Sequence, residues 1–307
     1  MSLSKQTVKW LNANCHTSIK GKTVLVTGAN SGVGFKTAEI AAYLGANVIL
    51  ACRSPEKAAA ARDALLREYP KASVRVLPLD LADLRSIDAF AETLRQQQID
   101  VDAFVNNAGT FHHPGQTTAD GFDLVIGTNY LGVYELSEKV LPYLATLPHA
   151  VVYVNTVSII VRVAREPDYE DFYCQKHPGR FSIYGRSKLC LAKYTYALAE
   201  KYAQTNVRVL MNHPGATITP LGLNAFGKWV SCLAKFVRPL TNSPEKSALS
   251  LSYILSHEVP AGAIVGPTNG FGIWGYPKEN RVPRKVKTGA EALIRFTEQE
   301  LDTHKSR

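Results

Sequence analysis

The chain has 307 residues, 46% of them hydrophobic and 20% charged, a balance ordinary for a globular protein and unlike that of a disordered one. No run of about 18 apolar residues occurs, so no membrane span is expected, and residues 1–20 lack the apolar core and cleavage site of a secretory signal. The formal net charge is +9, which admits an anionic partner but does not name one.

From Lys22 onward, short β-branched runs alternate with segments of helical period. Strands are expected at 23–27, 47–51, 73–78, 103–106, 150–155, 208–212 and 264–266, and helices at 34–44, 55–68, 86–96, 121–144, 184–202 and 244–255. Crossovers of this length form right-handed βαβ units. The expected fold is therefore α/β: a single-domain, Rossmann-type, doubly wound parallel sheet with helices on both faces. Residues 1–20 read as an N-terminal extension and 276–307 as a C-terminal one, including a solvated basic tail. Three stretches depart from the alternation: 157–181, 221–243 and 269–288. In open α/β sheets ligands lie beyond the carboxyl ends of the strands, so the first two are expected to wall a substrate cleft. Phe111, Phe172, Tyr173, Phe226, Trp229, Phe236 and Phe271 either line that cleft or form satellite core under long loops.

The first strand runs into Thr27-Gly28-Ala29-Asn30-Ser31-Gly32-Val33-Gly34 and then into a helix. Glycines at this spacing let the backbone approach a pyrophosphate and let a helix start against it without a Cβ clash. The second strand ends at Cys52-Arg53-Ser54 with no acidic residue from Ala46 onward. An acid there would grip the ribose hydroxyls of NAD(H); Arg53 offers a guanidinium to a 2′-phosphate instead. NADP(H) is expected over NAD(H). Asp80-Leu81 follows the third strand and is placed to contact an adenine amino group. Asn106-Asn107-Ala108-Gly109 follows the fourth, where small residues admit the cofactor.

Tyr184 and Lys188 lie four residues apart on one helical face. A free phenol with a pKa of about 10 trades protons poorly near neutrality, and a neighbouring ammonium is expected to lower that value. Taken with the glycine turn, the pair suggests hydride transfer coupled to proton transfer.

These pieces, together with Asn129 in TNYLG, Ser158, YGRSK, and His213-Pro214-Gly215 followed by Thr219, resemble the short-chain dehydrogenase/reductase family over residues 21–275. ACRS after the second strand, the long segment between Ser158 and Tyr184, and SPEKSA before a late helix resemble its retinol-dehydrogenase-like branch. The resemblance implies an oxidoreductase that interconverts a small-molecule carbonyl and an alcohol. Tyr184 would be the acid/base, Ser158 would stabilise the substrate oxygen, Asn129 would hold a relay water, and Lys188 would bind the nicotinamide ribose. Pro214, Gly215 and Thr219 would join the cofactor site. Val157 stands where many members have a further serine, so Thr156 is the conceivable substitute for Ser158. His213 is expected to shape its turn more than to act as a base, and His112 and His113 are not taken as catalytic. A homodimer through the helices at 121–144 and 184–202 is possible by the same resemblance.

Other classes remain beside this one: a nucleotide-binding regulator with little turnover, or a peripheral membrane enzyme touching lipid through Trp10-Leu11 or residues 226–236. Lys278, Arg281, Arg284, Lys285 and Lys287 are interrupted by Pro277 and Pro283, which gives a loop where a nucleic-acid reader would need a helix. No nucleic-acid partner is expected. Five scattered cysteines (Cys15, Cys52, Cys174, Cys190, Cys232) show neither metal-ligand spacing nor a disulfide framework, which favours a reducing, cytoplasmic setting.

Overall fold

The computed structural model describes all residues except 1, 16–18, 113, 114, 177, 218–240, 306 and 307. The predicted cofactor residue Thr219, the aromatics Phe226, Trp229 and Phe236, and Cys232 fall outside the described residues. Eight strands form one sheet in the order β3-β2-β1-β4-β5-β6-β7-β8. They are β1 (Thr23–Thr27), β2 (Asn47–Cys52), β3 (Val74–Pro78), β4 (Ala103–Asn106), β5 (Val151–Thr156), β6 (Val207–Asn212), β7 (Ile264–Asn269) and β8 (Trp274–Asn280). β1 to β7 run parallel; β8 pairs antiparallel with β7 at the edge. The wholly parallel expectation is thus corrected at that edge. Trp274–Asn280 lies in a Gly- and Pro-rich stretch whose composition hides a strand, and an edge position tolerates Pro277 because only one ladder must be satisfied.

The helices are α1 (Lys5–Asn14), α2 (Gly32–Tyr43), α3 (Pro55–Glu68), α4 (Leu84–Gln96), the single turn α5 (Leu124–Ile126), α6 (Gly132–Leu144), α7 (Arg180–Lys201), α8 (Pro244–Ser256) and α9 (Ala290–Lys305). Strand side chains alternate between two apolar layers, as the pleat requires. Leu25, Phe104, Tyr153 and Met211 pack with α4, α6 and α7. Val24, Val26, Val154 and Leu210 pack with α2, α3 and α8. The strand order reverses between β1 and β4, and there the crevice for a ligand opens.

Two helices were not expected. α1 is capped by Ser4, whose backbone N–H and hydroxyl both donate to Glu245, and it buries Leu11 while stacking Trp10 on Tyr276. α9 replaces the expected solvated basic tail. Its Leu293, Thr297 and Leu301 are buried, and Phe296 packs on Phe172. The helix expected over 121–144 is interrupted by a π turn, Gly127–Leu131, which holds Asn129.

Lys193 joins three segments. It is almost fully buried on α7, pairs with Glu166 at 2.8 Å and donates to the Thr288 carbonyl at 2.6 Å. The 157–181 segment and the chain before α9 are thereby tied to α7.

Candidate active site

The glycine turn is tightly packed where it meets its neighbours. Gly28 and Gly32 adopt φ of +65° and +59°. A Cβ on Gly28 would meet the Ala108 backbone at 2.9 Å, and one on Gly34 would lie 2.3 Å from the Asn107 amide and 2.6 Å from the Gly28 carbonyl. Ser31 caps α2 without a side-chain hydrogen bond, which leaves the first N–H groups of that helix turned outward beside Asn30 and Val33. The Asn107–Gly109 turn is held against β1 from the side: the Thr27 hydroxyl accepts from both Asn107 and Ala108 N–H at 3.0 Å, and the Asn107 amide donates to the Thr27 carbonyl. Thr27 was quoted within the motif but not given this role. Its partners lie 80 residues away, beyond the reach of local pattern.

Arg53 is exposed at the end of β2, next to the strand that carries the glycine turn, and has no ion pair among the described residues. Asp80 caps its own turn by accepting from Ala82 N–H at 2.9 Å, and a Cβ on Gly132 would strike the Leu81 carbonyl at 2.1 Å. The Asp80-Leu81 pair therefore also seats α6. Pro214 and Gly215 follow β6. Gly215 has φ +74° and no room for a Cβ against the Ile273 carbonyl, and the Pro214 carbonyl accepts from the Thr217 and Ser247 hydroxyls.

Tyr184, Ser158, Lys188 and Asn129 converge at the carboxyl ends of β4 and β5. Tyr184 is half-buried under Phe111, ring centroids 5.0 Å apart, and Phe111 in turn meets the exposed Phe181 at 5.3 Å. Ser158 lies near enough to the phenol to draw its pKa down, but burial dominates and the net direction is up. The expectation of a lowered value rests on Lys188 together with the positive nicotinamide of the oxidised cofactor; among the protein's own groups it is Ser158 that draws the value down. The Lys188 ammonium donates to the Thr156 carbonyl at 2.8 Å, and burial pushes its own pKa down to about 8. Asn129 is fully buried. Its amide oxygen accepts from Thr110 N–H at 2.7 Å, and its NH₂ donates to the Thr110 carbonyl and the Ser187 hydroxyl. The side chain thus fixes the Gly109-Thr110 turn beside Lys188. The Thr156 hydroxyl is buried and unpartnered, on the strand before Ser158.

The aromatic residues divide. Phe111 and Phe181 stand at Tyr184, whereas Phe172 and Tyr173 are core: Phe172 packs on Tyr130 and Phe296, and the Tyr173 hydroxyl donates to Glu300. Phe271, 88% exposed with φ +59°, points to solvent. No group of three or more His, Cys, Asp or Glu side chains that could hold a metal ion occurs among the described residues. Among them, no helix is long and apolar enough to cross a membrane.

Comparison with known proteins identifies the family. The family model for short chain dehydrogenase matches residues 22–227. The chain is 37% identical over 245 residues to retinol dehydrogenase 13 of Mus musculus, a match covering 77% of this chain and 72% of that protein. A solved structure of a protein of unassigned function from Mycobacterium paratuberculosis superposes with TM-score 0.72 at 30% identity, over 92% of this chain and 94% of that one. L-sorbose reductase from Gluconobacter frateurii, complexed with NADPH and L-sorbose, shares the fold at TM-score 0.64 and 22% identity, over 80% and 95% of the two chains. The chain belongs to the short-chain dehydrogenase/reductase family, in its retinol-dehydrogenase-like branch, and is an oxidoreductase of alcohol and carbonyl groups.

Proposed function

We propose that the protein is an NADP(H)-dependent reductase/dehydrogenase of an apolar ketone or aldehyde and the corresponding alcohol. The observation that carries this reading is the convergence of Tyr184, Ser158 and Lys188 on the crevice beside the glycine turn. Gly28, Asn30, Ser31, Gly32, Val33 and Gly34 would hold the pyrophosphate, and Arg53 the 2′-phosphate. Asp80 and Leu81 would meet the adenine, Asn107, Ala108 and Gly109 would flank the ribose, and Pro214 and Gly215 the nicotinamide. When bound, the dinucleotide supplies or accepts a hydride at the carbonyl carbon.

The protein's own contribution is a proton and a place to put it. Burial keeps the Tyr184 phenol protonated at neutral pH, which is the form needed to donate to a carbonyl oxygen as that oxygen gains charge. Ser158 donates to the same oxygen and stabilises the developing alkoxide. Lys188, once drawn from the Thr156 carbonyl toward the ribose hydroxyls, would place positive charge near the phenol and ease its deprotonation in the reverse direction. Asn129 holds the turn that keeps Lys188 in register. Phe111 and Phe181 offer the substrate an apolar wall.

The test is NADPH consumption across a carbonyl panel with Tyr184→Phe beside the native protein. The variant is expected to keep cofactor affinity and lose kcat by about a hundredfold or more. Equal, negligible rates in both proteins with intact cofactor binding would leave a nucleotide-binding regulator as the better reading.

A further inference from the structure

His213 is the first residue beyond β6, and its ring is buried at 3% exposure with neither nitrogen hydrogen-bonded. Such a group is costly unless something occupies its donor and acceptor. Its setting is tightly built. A Cβ on Gly266 would lie 2.6 Å from the ring, and one on Gly272 would lie 3.3 Å from Cε1, so two glycines form a slot for the imidazole. Beside it is a cavity of about 10 Å³ lined by Ser158, Arg162, His213 and Asn280 along with apolar side chains. That is room for about one water, which needs two to four polar partners.

Asn280 does not satisfy the ring. Its NH₂ donates to the Gly266 and Lys278 carbonyls, and its oxygen accepts from Arg162 at 3.2 Å. Its NH₂ is thus committed, and although its oxygen stands close enough to draw the His213 pKa slightly up, it makes no hydrogen bond of good geometry to either ring nitrogen. Ser158 has the complementary need. Its hydroxyl oxygen accepts a long 3.4 Å bond from Ile160 N–H and lies within hydrogen-bond reach of the Tyr184 phenol, which leaves an acceptor lone pair for a further partner.

We propose that His213 is a positioning residue for Ser158, holding its hydroxyl through one water in the small cavity the two side chains share. The water donates one hydrogen to the acceptor nitrogen of the imidazole and the other to Ser158 Oγ, so the serine proton is left for the substrate oxygen. A neutral ring is required, and its surroundings provide it. Burial first, then the Arg162 charge, lower the His213 pKa to about 4, with Asn280 drawing it slightly back. The charged groups on the cavity are Arg162 from the turn after β5 and Arg281 from the end of β8; no carboxylate lines it.

Two measurements decide the matter. A crystal structure of the full chain that resolves ordered waters should show one water within hydrogen-bond distance of a His213 nitrogen and of Ser158 Oγ. A dry cavity, or a water that touches His213 but not Ser158, overturns the proposal whatever the activity. The kinetic arm rests on the oxidoreductase reading. There His213→Leu should lower kcat about tenfold without changing cofactor affinity, and His213→Gln should restore most of it. The double variant His213→Leu/Ser158→Ala should be no slower than Ser158→Ala alone, because the histidine acts only through the serine. Losses that multiply in the double variant, or a His213→Leu protein with native kcat, overturn the positioning role. A native protein inert toward every carbonyl would instead defeat the functional reading, and the crystallographic arm would still decide this one.

Discussion

On the proposed reading, Arg53 and Lys188 would carry charge to opposite ends of one dinucleotide, and each role can be tested alone. Arg53 has no carboxylate to neutralise it among the described residues, so its guanidinium is free for a 2′-phosphate. Charge-assisted bonds of that kind contribute about 1.5–3 kcal/mol. Arg53→Ala should therefore raise the KM for NADPH about tenfold or more while leaving that for NADH within about twofold. Equal effects on both would remove the 2′-phosphate role. Lys188 gives a pH dependence. Its pKa is lowered to about 8 by burial, and on the proposed reading the ammonium form would bind an anionic dinucleotide better than the amine. Cofactor affinity should be flat well below that pH and weaken as pH rises through it. Lys188→Met should abolish the slope in a direct titration of binding against pH. At this scale the chemistry-bearing side chains were readable because their identities and spacing are local: Tyr184 and Lys188 are one helical turn apart. The direction of the Tyr184 shift was not readable. It depends on which surfaces close over the ring, and Phe111 reaches it from 73 residues away.

At the scale of elements, the start of α2 is where backbone and ligand compete for the same space. Gly34→Ala places a methyl against the Gly28 carbonyl and the Asn107 amide, and neither has room to retreat. The substitution should cost about 1–3 kcal/mol of stability through overpacking and weaken cofactor binding by displacing the turn; urea unfolding and a binding titration would measure the two. Most core strands and the main helices announced themselves by period and β-branching, and their ends matched within a few residues. The exceptions share a cause. β8 is an edge strand written in Gly, Pro and charge, α1 is short and mostly polar, and α9 presents a narrow apolar stripe of Leu293 and Leu301 between acidic turns. The π turn around Asn129 has no local signature at all. It is set by Asn129 reaching across to Thr110 and Ser187.

For the whole molecule, α9 changes what the outer face of α6 and α7 can do. Thr297 bonds the Tyr130 hydroxyl at 2.7 Å, Glu298 meets Tyr134 at 3.4 Å, and Phe296 covers Phe172. A second copy pairing through that part of the helices would have to displace α9. Ending the chain before residue 290 would uncover Tyr130 and Phe172, now 0% and 3% exposed. At about 1.5–3 kcal/mol for each large side chain returned to water, the truncated protein should lose at least about 3 kcal/mol in urea unfolding. Unchanged stability would mean that α9 is not part of the core.

The Lys193 junction carries a mechanical consequence. One ammonium grips the segment beside the cleft, the approach to the last helix, and the helix that bears the phenol. A force that pushes the 157–181 segment outward must therefore either break that ion pair, stranding an ammonium that is 2% exposed beside a carboxylate that stays hydrated, or drag α7 along with it. If 157–181 walls the cleft as proposed, its width and the placement of the Tyr184 phenol are geared together, and guests of different girth would meet that hydroxyl at different angles.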